Sequence, residues 1–140
     1  MGSPREDGGG ALKAAVALAA LGLLIAPAAQ ACECVKIDVK ESLANAVEVV
    51  DATVAALDDS DQADWIGALE VKRRWKGGKA LKLTVRSRKG KACGVYLEQG
   101  KRYLLFAMRD GSGLRVDLCN HSALLAASTK VLEQLGPPGK

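Results

Sequence analysis

Four cysteines do more than any other residues to limit what this chain can fold into. They stand as Cys32-Glu33-Cys34, Cys93 and Cys119. Residues two apart on an extended strand point to the same side, so Cys32 and Cys34 can each anchor to a different element. Three pairings of the four are possible. The one joining Cys32 to Cys34 is the least favourable, because its three-residue ring is strained. The Cys-x-Cys spacing is neither that of a redox pair nor that of a zinc knuckle.

The residues ahead of Cys32 say which compartment the thiols meet. From Ala14 to Ala26 no side chain is polar, Arg5 and Lys13 precede this run, and Ala29 and Ala31 lie just before Cys32. A membrane-spanning helix needs roughly 20 apolar residues, so the run is too short to span. It fits a secretory signal with small residues at the cleavage site. The sequence therefore predicts a signal peptide over 1–31 and one domain over 32–140. The mature chain is expected to be secreted, extracellular or, in a bacterium, periplasmic, with no transmembrane segment. Two disulfides form and persist there, and long bridges each stabilise a small domain by roughly 3–5 kcal/mol.

Charge is sorted along the mature chain although the net charge of the whole is only +4. Residues 33–70 carry ten acids against Lys36 and Lys40, whereas residues 72–91 carry ten bases and no acid. The two stretches are expected on adjoining strands that partly neutralise one another. Period-two alternation supports strands at Trp65–Trp75, with Trp65, Leu69, Val71 and Trp75 on one side, and at Leu81–Val85 after the turn Lys76-Gly77-Gly78-Lys79. Val47–Leu57, Tyr103–Met108 and the alternating Leu114, Val116 and Leu118 complete five strands. A short helical turn is predicted around Ser42–Ala46. A final helix is predicted from an N-cap at Ser122 to Leu135, stopped by Gly136-Pro137-Pro138. Five short strands with a terminal helix suit a mainly β, five-stranded Greek-key barrel of the OB type, with a sandwich or a plain meander as the alternative.

Little in the chain points to catalysis. His121 is the only histidine and no nucleophile-elbow pattern is present, so the sequence does not read as an enzyme. Asp59, Asp61 and Glu70 fit positions 1, 3 and 12 of a calcium loop, but Ala63 and Asp64 occupy positions 5 and 6, where an oxygen ligand and glycine are needed. The basic stretch Lys72–Lys91 suits an anionic polysaccharide or cell surface better than nucleic acid in an exported protein.

Taken in order, Cys32-Glu33-Cys34 behind a cleavage site, Trp75-Lys76-Gly77, Ala92-Cys93-Gly94-Val95, Gly100-Lys101-Arg102-Tyr103-Leu104-Leu105 and Leu118-Cys119 resemble the netrin-like module. Within it, the Cys-x-Cys at the mature terminus is most similar to the N-terminal domain of the tissue inhibitors of metalloproteinases. The resemblance implies an OB barrel with bridges Cys32–Cys93 and Cys34–Cys119. It implies that the α-amino nitrogen and carbonyl oxygen of Cys32 bind the zinc of a target metalloprotease. The protein then needs no cofactor of its own. Glu33 would face the protease's specificity pocket, Cys34 and Val35 would continue the contact ridge, and Lys91 and Ala92 would lie beside it. Glu33 stands where the family usually has a small hydroxyl residue, and a carboxylate disfavours a deep apolar pocket through desolvation. The alternative implied by the same resemblance is a non-inhibitory extracellular netrin-like module that binds other proteins.

Overall fold

The computed structural model describes residues 32–90 and 92–139. The predicted signal peptide, Lys91 and Lys140 lie outside the described residues. Helix α1 (Val39–Asn45) is followed by strands β1 (Glu48–Asp58), β2 (Asp64–Lys76), β3 (Lys82–Arg88), β4 (Arg102–Asp110) and β5 (Gly113–Val116). A 3-10 turn (Leu118–Asn120), a two-residue strand β6 (Ala123–Leu124), a second 3-10 turn (Leu125–Ala127) and helix α2 (Thr129–Leu135) complete the domain.

The strands run in the order β1-β2-β3-β5-β4, and pairing of β4 back onto β1 closes them into a five-stranded barrel with the strand order of an OB fold. The β3–β5 pair is parallel and the others are antiparallel. Closure needs strong local curvature, and bulges supply it. Lys72 and Trp75 on β2, and Ala55 on β1, have no opposite number in the β1–β2 register.

The apolar runs of β1 and β4 have two covered faces, which is why they do not alternate with polar residues. Val50, Ala52, Val54, Tyr103, Leu105 and Ala107 fill the barrel interior. Val49, Leu104 and Phe106 face outward into a second apolar layer made with Val39 and Leu43 of α1 and Val131, Leu132 and Leu135 of α2. The oppositely charged stretches meet as expected. Arg74 on β2 pairs with Glu48 on β1 at 3.0 Å, and Arg73 pairs with Asp51 at 2.6 Å.

Three sequence expectations are corrected. Trp75 does not share a face with Leu69 and Val71, because the bulge at Lys72 shifts the alternation. Trp75 packs in the outer layer instead, and its indole N–H donates to the Gly136 carbonyl at 2.9 Å. The final helix starts at Thr129 rather than after Ser122. The reason is that β4 has a second edge to satisfy: Ala123 and Leu124 pair with Leu104 and Tyr103, and the Ser122 hydroxyl is committed to Phe106. Leu118 likewise leaves the β5 alternation to open the 3-10 turn.

Candidate functional site

The first described residues form an extended segment, 32–38, strapped to the barrel at two points by the bridges Cys32–Cys93 and Cys34–Cys119. All four cysteines are thereby bridged. Cys93 lies on the connection between β3 and β4, and Cys119 lies in the 3-10 turn after β5. The two anchors are joined through the backbone, since the Leu118 N–H donates to the Cys93 carbonyl at 2.7 Å.

Each anchor is held by side chains chosen for the purpose. Between β5 and β6 the second edge of β4 has a gap at Phe106, and two side chains fill it. The Phe106 N–H donates to Ser122 Oγ at 2.9 Å, and its carbonyl accepts from Asn120 Nδ2 at 2.6 Å. Ser122 Oγ in turn donates to Asn120 Oδ1 at 2.8 Å, so both buried polar groups are satisfied and Cys119 is fixed beside them. Asp117 caps the turn by accepting from the Cys119 N–H at 2.8 Å. His121, in the left-handed region at φ 71°, donates from Nε2 to the Ile37 carbonyl at 2.9 Å and so ties down the far end of the extended segment. Asp38 then caps α1 through the Glu41 N–H.

On the other anchor, Gly94 passes so close to β3 that a Cβ there would overlap the Arg88 carbonyl oxygen. Ser87 Oγ donates to the Val95 carbonyl at 2.6 Å in the interior. The Tyr103 hydroxyl donates to the Tyr96 carbonyl at 3.0 Å and accepts from the Glu98 N–H at 2.9 Å. Burial pushes this hydroxyl above the ordinary phenol range. Arg102 reaches Asp51 with two 2.6 Å hydrogen bonds, and Gly100, at φ 85°, makes the turn that brings it there. The Gly100-Lys101-Arg102-Tyr103 and Cys93-Gly94-Val95 motifs therefore act as supports for the Cys93 connection.

Two large apolar side chains are exposed beside the bridges. Val35 is 83% exposed, and Leu118, next to Cys119, is 50% exposed. Glu33, Cys34 and Ala92 are exposed as well, while Cys32 and Cys93 are half-buried. Cys32, Glu33, Cys34, Val35 and Ala92 thus share one bridged edge. A cavity of about 400 Å³ lined by Arg74–Lys79 and Gly139 includes no bridge residue, whereas one of about 300 Å³ is lined by Cys93 and Ala92.

Several basic groups of the 72–89 stretch have partners within the domain. Lys76 donates to the Leu43 and Ala44 carbonyls at the end of α1, and Lys89 donates to the Asp59 and Asp61 carbonyls. Lys72, Arg73, Arg74 and Arg86 pair with acids of the domain. In the acidic loop, the Ser60 hydroxyl and N–H hold Asp58 below the usual carboxylate range, and the Ala63 and Asp64 N–H groups do the same for Asp61. Glu70 lies on β2.

The Asp51 centre and the Asn120–Ser122 bracket were not anticipated. The signal for the first was a single acid inside the apolar run Val49–Val54, a pattern that demands a buried partner. No helix among the described residues is long and apolar enough to cross a membrane. The sequence matches no protein-family model and no curated protein.

Proposed function

We propose that this domain is a secreted inhibitor of zinc metalloendopeptidases, acting through the backbone of Cys32 at a mature N-terminus created by removal of residues 1–31. The observation that carries the reading is the doubly bridged segment Cys32-Glu33-Cys34, continued by the exposed Val35 and flanked by Leu118. Cleavage before Cys32 would leave its amine and carbonyl as two ligands on a short, fixed arm.

The chemistry follows from the target's metal. A catalytic zinc keeps one open position, normally filled by water. An α-amino group has an ordinary pKa of about 8, so it releases its proton readily on binding a metal. With its carbonyl as second ligand it displaces the water and removes the nucleophile. The bridges order the arm before association, so less conformational entropy opposes binding. Val35 and Leu118 add apolar contact around the chelating group, while the Glu33 carboxylate favours a target whose specificity pocket is polar or open.

Intact-mass analysis of the secreted protein, followed by carbamoylation of its terminal amine, tests this reading. The expected mass begins at Cys32 with no free thiol, and carbamoylation is expected to abolish inhibition while leaving the fold unchanged. An N-terminal extension or an acylated Cys32 would overturn the chelation mechanism and favour the non-inhibitory interaction module.

A further inference from the structure

We propose that the same four cysteines give this domain a second, redox-controlled state: once both bridges are reduced, their thiolates bind one zinc ion in a tetrahedral tetrathiolate site. The four sulfurs lie within 4.8 Å of one another. Between the two bridges, Cys32 Sγ stands 3.7 Å from Cys34 Sγ and 3.8 Å from Cys119 Sγ. Zinc–thiolate bonds of about 2.3 Å at tetrahedral angles place sulfurs about 3.8 Å apart. These unbonded pairs already have the separation a zinc site requires, and reduction frees the bonded pairs to reach it. Four thiolates in a closed tetrahedron suit zinc better than the harder divalent ions.

The cluster does not depend on the bridges alone. Cys119 is bracketed by the Asn120–Ser122–Phe106 network, and the Leu118 N–H ties it to the Cys93 carbonyl. His121 holds the Ile37 carbonyl, three residues beyond Cys34, which limits how far Cys34 and Cys32 can move after reduction. A zinc tetrathiolate carries a double negative charge. Arg88 lines the cavity of about 300 Å³ beside Cys93 and can oppose that charge; Arg115 in the same cavity is paired with Asp110 and Asp64, and Asp117 accepts from the Cys119 N–H. Cys34 is exposed and the other three cysteines are half-buried, which admits both reductant and ion.

The chemistry balances with two equivalents of a dithiol reductant. They supply four electrons and four protons, opening two disulfides to four thiols while each dithiol closes to a disulfide. Zinc then forms four Zn–S bonds and the four thiol protons pass to water. The site uses cysteine side chains in the reduced protein, so it stands or falls separately from backbone chelation by the oxidised protein.

The test is anaerobic titration of the phosphine-reduced chain with cobalt(II), a spectroscopic stand-in for zinc. The expected result is thiolate-to-cobalt charge-transfer and tetrahedral ligand-field bands that saturate at one cobalt per chain, are displaced by zinc, and are absent from the oxidised chain. A Cys34→Ser/Cys119→Ser variant keeps the other bridge for folding and is expected to lose the tetrathiolate spectrum after reduction. Absence of the bands, one metal shared by two chains, or equal affinity in denaturing urea would overturn the proposal. If circular dichroism shows that reduction unfolds the barrel, added zinc must refold it; failure to do so would also overturn it.

Discussion

Replacing Asp51 by asparagine removes the one charge buried inside β1, and the structure sets the size of the effect. Its carboxylate is fully buried and accepts three 2.6 Å hydrogen bonds, one from Arg73 Nε and two from Arg102 Nε and Nη2. Charged hydrogen bonds contribute about 1.5–3 kcal/mol each, against several kcal/mol to desolvate the carboxylate. Breaking a fully buried pair costs about 3–5 kcal/mol. Here the arginine side chains are 41% and 46% exposed and regain water, so the expected loss is smaller, about 2–3 kcal/mol. For a domain of this size that lowers Tm by about 8–12 °C.

The pH dependence has a definite sign. Burial raises the Asp51 pKa, but the hydrogen bonds and charges of Arg102 and Arg73 outweigh it and hold the group below its ordinary value of 3.8. A carboxyl depressed in the folded state contributes stability above its unfolded pKa and loses it as the pH falls through the folded value. Urea unfolding of the two proteins is therefore expected to show a full gap at pH 7 and pH 5 that closes only below about pH 4. No gap at pH 7, or a gap unchanged down to pH 2, would refute the role assigned to this centre.

Other perturbations probe the supports of the bridged edge. Gly94→Ala forces β3 and the Cys93 connection apart at the Arg88 carbonyl, and thermal unfolding should show a loss of about 1–3 kcal/mol. His121→Ala removes the bond to Ile37; a loss of about 1 kcal/mol is expected, with faster hydrogen exchange confined to residues 32–38. The bridges close sequence separations of 61 and 85 residues, so in the chain-entropy account each contributes about 4 kcal/mol. Denaturant titration of single-bridge variants checks that value, and a cost under about 1 kcal/mol would mean the segment is held mainly by His121 and α1.

The barrel was legible in the sequence where one physical cause dominates. Strands β1 to β4 follow period-two patterning or a continuous apolar run, and the Gly77 turn between β2 and β3 is marked by its own residues. Trp75 departs from that pattern because the bulge at Lys72 leaves no compositional mark: Lys72 only lengthens the polar run Lys72-Arg73-Arg74. The helix start was misplaced because Ser122, Leu124 and Leu125 satisfy a local helical pattern, whereas the open edge of β4 is a long-range demand that no local window contains. The cysteine positions identified the candidate edge, and the resemblance supplied the pairing. The residues that keep the edge still, Asn120, Ser122, His121 and Gly94, act through contacts with Phe106, Ile37 and Arg88 that only the folded chain brings together.

The central claim is that the free amine of Cys32 is the inhibitory group. It is tested most directly by titrating a panel of zinc endopeptidases with protein beginning at Cys32 and with the same protein carrying one added N-terminal alanine. Losing both ligands to the metal is worth at least about 3 kcal/mol, so the extension is expected to weaken inhibition by at least about 100-fold with the melting temperature unchanged. Equal inhibition by the two proteins would contradict the account.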